Sequence, residues 1–191
     1  LALLPLATLW WARQVPREAP PTGASGSASV LSALDLLGFA PLRRLLIVNW
    51  TLSACWDVHT FVVPVLGHER DLSASAIGSI LGAFAIAATA VRLVIPVVAH
   101  RLQEWQVLLA AMSATALLFG VYPYTQQALA MGLCSVLLGT ALGAVQPMVM
   151  SALHQVTPPQ RHGQALGLRM MAINLSSSAM PLLFGAAGAI V

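Results

Sequence analysis

Residues 42–71 read LRRLLIVNWTLSACWDVHTFVVPVLGHERD. Leu42–Leu66 is apolar for long enough to cross a bilayer, which takes about 20 residues as a helix. The polar loop His68-Glu69-Arg70-Asp71 closes it. The run holds a single acid, Asp57. At helical rise Asp57 lies about 14 Å from Leu66, near the middle of a bilayer. An Asp at the centre of a spanning helix costs about 2.5–3.5 kcal/mol on insertion scales, and a group retained at that cost is read first as functional. Its carboxyl can take up a proton or meet a cationic group on a solute; the alternative is a neutral carboxyl, or one paired with another helix. Asn49, Trp50, Ser53 and Thr60 share its face as a polar stripe.

Four further runs follow outward from this one: residues 74–99, 106–121, 128–153 and 164–191, while residues 1–11 read as the end of a preceding helix. The expected fold is therefore all-α, a polytopic transmembrane bundle with five helices over residues 42–191. Composition agrees: 58% of the 191 residues are hydrophobic and 8% charged, against about 25% charged in a soluble domain. Arg13, Arg17, Arg43, Arg44, Arg101, Arg161 and Arg169 fall in or beside loops on one side of the alternating spans, and only Arg70 falls on the other. The positive-inside rule makes the arginine side cytoplasmic, and the expected location is the inner (plasma) membrane.

Residues 12–41 differ in composition. Pro16, Pro20, Pro21, Gly23, Ser25, Gly26, Ser27 and Ser29 read as a flexible cytoplasmic linker, with a short interfacial helix expected over 30–39. A first residue other than Met and a last residue inside an apolar run imply that both ends are cuts within a longer chain.

Several chemistries have no residues to rest on. All nine basic residues are Arg, which removes a phosphate-loop lysine and any Schiff base. Cys55 and Cys134 sit in apolar runs and imply no disulfide framework. His154 and His162 have no Cys, Asp or Glu at metal-ligand spacing. No catalytic motif is present, and no basic patch interleaved with aromatics offers a nucleic-acid footprint. No cofactor, no metal and no enzymatic activity are expected.

Three spans carry stripes of small or polar residues at helical spacing. They are Ser75, Gly78, Gly82, Ala85, Thr89, Arg92 and Pro96 on the second; Ser135, Gly139, Gly143, Pro147 and Ser151 on the fourth; and Gly163, Gly167, Asn174, Ser178, Pro181, Gly185 and Gly188 on the fifth. Such stripes permit close helix packing or line a solute path. The third span is apolar on nearly all faces, as suits a lipid-exposed periphery. Pro64, Pro96, Pro147 and Pro181 each remove a backbone hydrogen bond and mark hinge candidates.

Arg92 stays charged and must find an anion, water or carbonyls. Its position about 10 Å from the cytoplasmic end suggests anchoring there, with anion binding the alternative, and its depth argues against a direct pair with Asp57. His59, two residues from Asp57 on nearly the opposite face, suits a proton relay or an interhelical hydrogen bond. Gln146 and Asn174 suit solute binding or interhelical bonding.

The order of these features resembles the C-terminal half of a major facilitator superfamily transporter. Gly78-x-x-x-Gly82 through Arg92-x-x-x-Pro96 to His100-Arg101 looks like the eighth helix of that family and its turn, although only Arg101 matches the family's acidic-basic loop pattern across Pro96–Glu104. Residues 158–169 with Asn174, and then Pro181-Leu182-Leu183-Phe184-Gly185, resemble the eleventh helix. The resemblance implies alternating access around a midplane site and a peripheral ninth helix, here the third span. It also implies an N-terminal half of the same chain. The expected function is secondary, proton-coupled transport of a small organic solute. Asn49, Ser53, Asp57, His59, Gln146 and Asn174 are the pathway candidates; Arg92, Pro96, Arg101, Gly139, Gly143 and Pro147 are the structural or gating ones. The expected partners are the solute, protons and the lipid bilayer. The alternative is a non-transporting membrane subunit, or a membrane enzyme with its catalytic residues elsewhere.

Overall fold

The computed structural model describes residues 33–98 and 103–188. The expected helix end at 1–11, most of the linker and Arg101 lie outside them. The described residues form five long helices: α1 (Ala40–Glu69), α2 (Ala74–Val98), α3 (Glu104–Val121), α4 (Ala128–Val156) and α5 (His162–Gly188). Short 3-10 turns occupy Asp35–Gly38, Tyr122–Tyr124 and Pro159–Arg161, and there is no strand among the described residues. The expected interfacial segment thus contains the first of these turns, with Leu36 buried.

Local chemistry sets the helix boundaries. Pro41 sits in the first turn of α1, where a missing N–H costs nothing. The turn after α1 closes through Asp71 at φ 55°, a conformation that Asp tolerates better than most residues. Ser73 Oγ accepts from the Ala76 amide at 3.2 Å and caps α2. The α4 helix stops at an extended Thr157 before Pro158-Pro159, as a residue preceding proline favours.

By length and apolar composition α1 to α4 can each cross a membrane. The α5 helix, at 27 residues, spans about 40 Å at helical rise, so its length also suffices.

The α4 helix is the hub. It packs most extensively on α2, then on α3 and α1, while α5 packs chiefly on α1. Met131, Leu138, Met148, Val149 and Leu153 of α4 are fully buried, against Phe84 of α2, Leu108 of α3 and Leu42 and Leu45 of α1. The α3 helix buries only Leu108, Ala111 and Thr115, and Leu109 and Leu117 on its other faces are about two-thirds or more exposed. It is the peripheral helix that its uniform apolarity suggested.

The stripe on α4 is a packing surface. A Cβ on Gly139 would stand 2.4 Å from the Phe84 carbonyl oxygen, and one on Gly143 would stand 2.7 Å from that of Ala88. The two helices therefore touch backbone to backbone, an approach that only glycine permits. The stripes on α2 and α5 behave differently. A Cβ on Gly78, Gly82, Gly163 or Gly167 would meet nothing within 4 Å, and Ser75, Thr89, Asn174 and Ser178 are exposed.

Polar ties hold each end of the bundle. Arg70 donates to the Pro123 carbonyl at 2.9 Å and to Thr125 at 3.4 Å, joining the α1–α2 and α3–α4 loops. At the other end Glu104 accepts from Ser151 at 2.8 Å and from Gln155 at 2.6 Å.

Gly143→Leu should force α2 and α4 apart at a cost of about 1–3 kcal/mol, the usual penalty for overpacking. Gly82→Ala, with open space for its methyl, should cause no loss. Thermal unfolding of the purified protein in detergent reads both, and equal stability of the two variants would refute the backbone contact.

A charged cavity between four helices

Asp57 lies 17 residues into α1, and α5 crosses it there. Ser176 and Ser177 donate to its Oδ2 at 3.0 and 3.4 Å. Beside the carboxylate is a cavity of about 250 Å³, into which Ser53, Trp56, Arg92, Gln146 and Ser177 also open. Four helices thus contribute to one polar space.

The reading from depth does not foresee that Arg92 lines the same cavity as Asp57, with its guanidinium 5.1 Å from the centre of the Trp56 ring. The cause is side-chain direction. Side chains lean toward the N-terminus of their own helix, and α1 and α2 run in opposite senses. Asp57 and Arg92 therefore lean toward each other across the rise that separates their Cα atoms. Among the described residues no salt bridge joins them.

Arg169 is the residue that sequence reasoning missed. Counted there as a loop-flanking charge, it sits about 10 Å inside α5 at helical rise and is 5% exposed. It donates to Asn49 Oδ1 at 3.4 Å and to Gln146 Oε1, tying α5 to α1 and α4. The available signal was spacing: Ala165, Arg169 and Ser176, all buried, recur at helical intervals and mark the inward face of α5. The stripe through Gly167, Asn174 and Ser178 is a different face.

The remaining candidates separate accordingly. Ser53 lines the cavity, and its Oγ has no hydrogen-bond partner. Asn49 is fully buried behind Gln146 and Arg169, with its Nδ2 unpartnered. Asn174 does not join the cavity; with Trp50 it lines a mostly apolar groove of about 680 Å³ between α1 and α5. Pro64, Pro96 and Pro147 lie inside α1, α2 and α4, which continue through them.

His59 also lies apart from the cavity. It is 1% exposed, stacks on Phe84 with ring centres 4.2 Å apart and shares a 3.0 Å hydrogen bond with Ser135. Tyr122 bonds the same serine at 3.0 Å. Of the two roles open to it, the geometry is that of an interhelical hydrogen bond.

A bundle of helices that can each cross a membrane, with Asp57 and Arg92 lining a cavity between them, defines a polytopic membrane protein. Residues 1–181 match the Major Facilitator Superfamily. The chain belongs to that family, whose members are membrane transporters. No curated protein and no solved structure matches the chain.

Two substitutions check these assignments. Gln146→Leu removes an acceptor from a buried guanidinium and should cost about 1.5–3 kcal/mol, the range for hydrogen bonds to charged groups, read as a lower unfolding temperature. His59→Phe keeps the stacking on Phe84 and loses the Ser135 bond; it should cost about 1 kcal/mol and leave transport unchanged. Uptake abolished in a folded His59→Phe variant would return His59 to the pathway.

Proposed function

We propose that the protein is a secondary transporter of a small organic solute, working by alternating access and coupled to protons through Asp57. The observation that carries this reading is the setting of that carboxylate. It lies far from both ends of α1, lines a cavity shared by four helices, and takes its hydrogen bonds from two neutral hydroxyls. An acid so placed binds a proton without first breaking a salt bridge. When it does, the carboxyl gains a donor and loses negative charge, and the cavity passes from one acid and one base to a single net positive charge. A solute held by the ionised form is then held less well, which is the differential interaction that coupling requires.

Family membership supports transport in general. Alternating access calls for a second bundle across the cavity, and we assign that role to the N-terminal half of the same chain. The open stripes on α2 and α5 are the faces available to it. The bilayer is the inner membrane of the cell, with the arginine-rich loops on the cytoplasmic side.

The test is reconstitution of the full-length protein in proteoliposomes under an imposed pH gradient. Lumenal contents are read by mass spectrometry after exposure to a defined mixture of small metabolites, with protein-free vesicles as the blank. Asp57→Asn should lower gradient-driven accumulation at least tenfold and retain downhill exchange of the same solute. Accumulation equal to that of the unmodified protein would overturn the coupling role.

A further inference from the structure

We infer that the cavity selects zwitterionic solutes, with the cationic group of the solute on Asp57 and its anionic group on Arg92. The inference rests on the transport reading above and specifies the chemistry of the same site.

The unused hydrogen-bonding capacity of the cavity wall carries it. Both serine hydroxyls go to Oδ2 of Asp57, which leaves Oδ1 without a protein donor. Arg92 makes no hydrogen bond within the described residues; its one recorded contact is with the face of Trp56. Gln146 has its Oε1 taken by Arg169, so its Nε2 is free to donate where it lines the cavity. Ser53 Oγ has no partner either. The wall therefore offers one free carboxylate acceptor and, beside it, a fork of guanidinium donors, an amide donor and a hydroxyl.

Opposite charges that served only packing would be expected to pair directly, since an unpaired charge at membrane depth is expensive. Here they line one space without meeting. A solute carrying both charges satisfies both walls. A monoamine would bring a like charge to Arg92, and a monocarboxylate would bring one to Asp57. Each wall group thus attracts one end of the zwitterion and repels the solute that lacks the other end.

Aromatic placement narrows the class. Among the described residues that line the cavity Trp56 is the one aromatic side chain, and Arg92 already covers its face. The cation is therefore recognised by a carboxylate and not by an aromatic cage of the kind that holds quaternary ammonium groups. Primary and secondary amines, which can donate to Oδ1, are the cationic groups that fit.

The test measures binding to the purified full-length protein by ligand-induced shift of its unfolding temperature. The probes are the common α-amino acids, each with its matched amine lacking the carboxyl and its matched acid lacking the amino group. At least one amino acid should bind tenfold or more tightly than both of its counterparts. Asp57→Asn should erase the preference over the acid, Arg92→Gln should erase the preference over the amine, and Arg92→Lys should restore most of the latter. An amine or an acid that binds as tightly as its parent amino acid overturns the inference, even if neither variant folds. If no probe binds while the proteoliposomes still accumulate a solute under a pH gradient, the zwitterion class falls and the transport reading stands. If neither binding nor accumulation is seen, both fall.

Discussion

The backbone contact between α2 and α4 at Gly139 and Gly143 fixes the rest of the arrangement. In lipid no hydrophobic force draws helices together, so dispersion at close range must do so. With Phe84 and Ala88 against two glycines, α2 lies deep in the groove of α4. That depth sets Phe84 beneath His59 and Trp56 of α1, and through Trp56 it sets Arg92. A bulkier residue at either glycine would move Arg92, the one cation that lines the cavity among the described residues.

The second constraint is that polar groups within a bilayer must find partners inside the protein. The bundle meets it unevenly. Away from the cavity, Arg169 finds Gln146 and Asn49, and His59 and Tyr122 share Ser135. Capacity is left over on Asp57, Arg92, Gln146 and Ser53 around the cavity, and away from it on Asn49 Nδ2, His59 Nδ1, Thr115 and Thr157.

Much of this was legible in the sequence. Among the described residues each of the five long apolar runs overlaps a helix, because a spanning helix must be long and apolar whatever it packs against. Asp57 stood out because the cost of its position is independent of its neighbours. What periodicity cannot supply is which face meets which helix. The stripes on α2, α4 and α5 look alike in sequence, yet only the α4 stripe is packed among the described residues. Depth along the backbone argues against a direct Asp57–Arg92 pair, and none is present among the described residues; what it does not show is that a long side chain on an antiparallel neighbour reaches the same cavity. Arg169 was misjudged because an arginine soon after a loop satisfies the positive-inside rule; its burial depends on Asn49 and Gln146, 120 and 23 residues away.

The uneven packing of the helices has a mechanical consequence. The α2, α3 and α4 helices make one tightly packed slab and α1 with α5 makes another, while α4 touches α5 only sparsely and α1 touches α2 little. The cavity lies along this seam. Of the hydrogen bonds made by α5, Ser176 to Asp57 stays within the thinner slab, whereas Arg169 to Gln146 crosses to α4; His59 to Ser135 crosses the same seam from α1 to α4. Sliding of the slabs would therefore load the Arg169–Gln146 and His59–Ser135 bonds while leaving the serine clasp on Asp57 intact. The bundle is thus jointed, with these two polar rivets across its seam among the described residues.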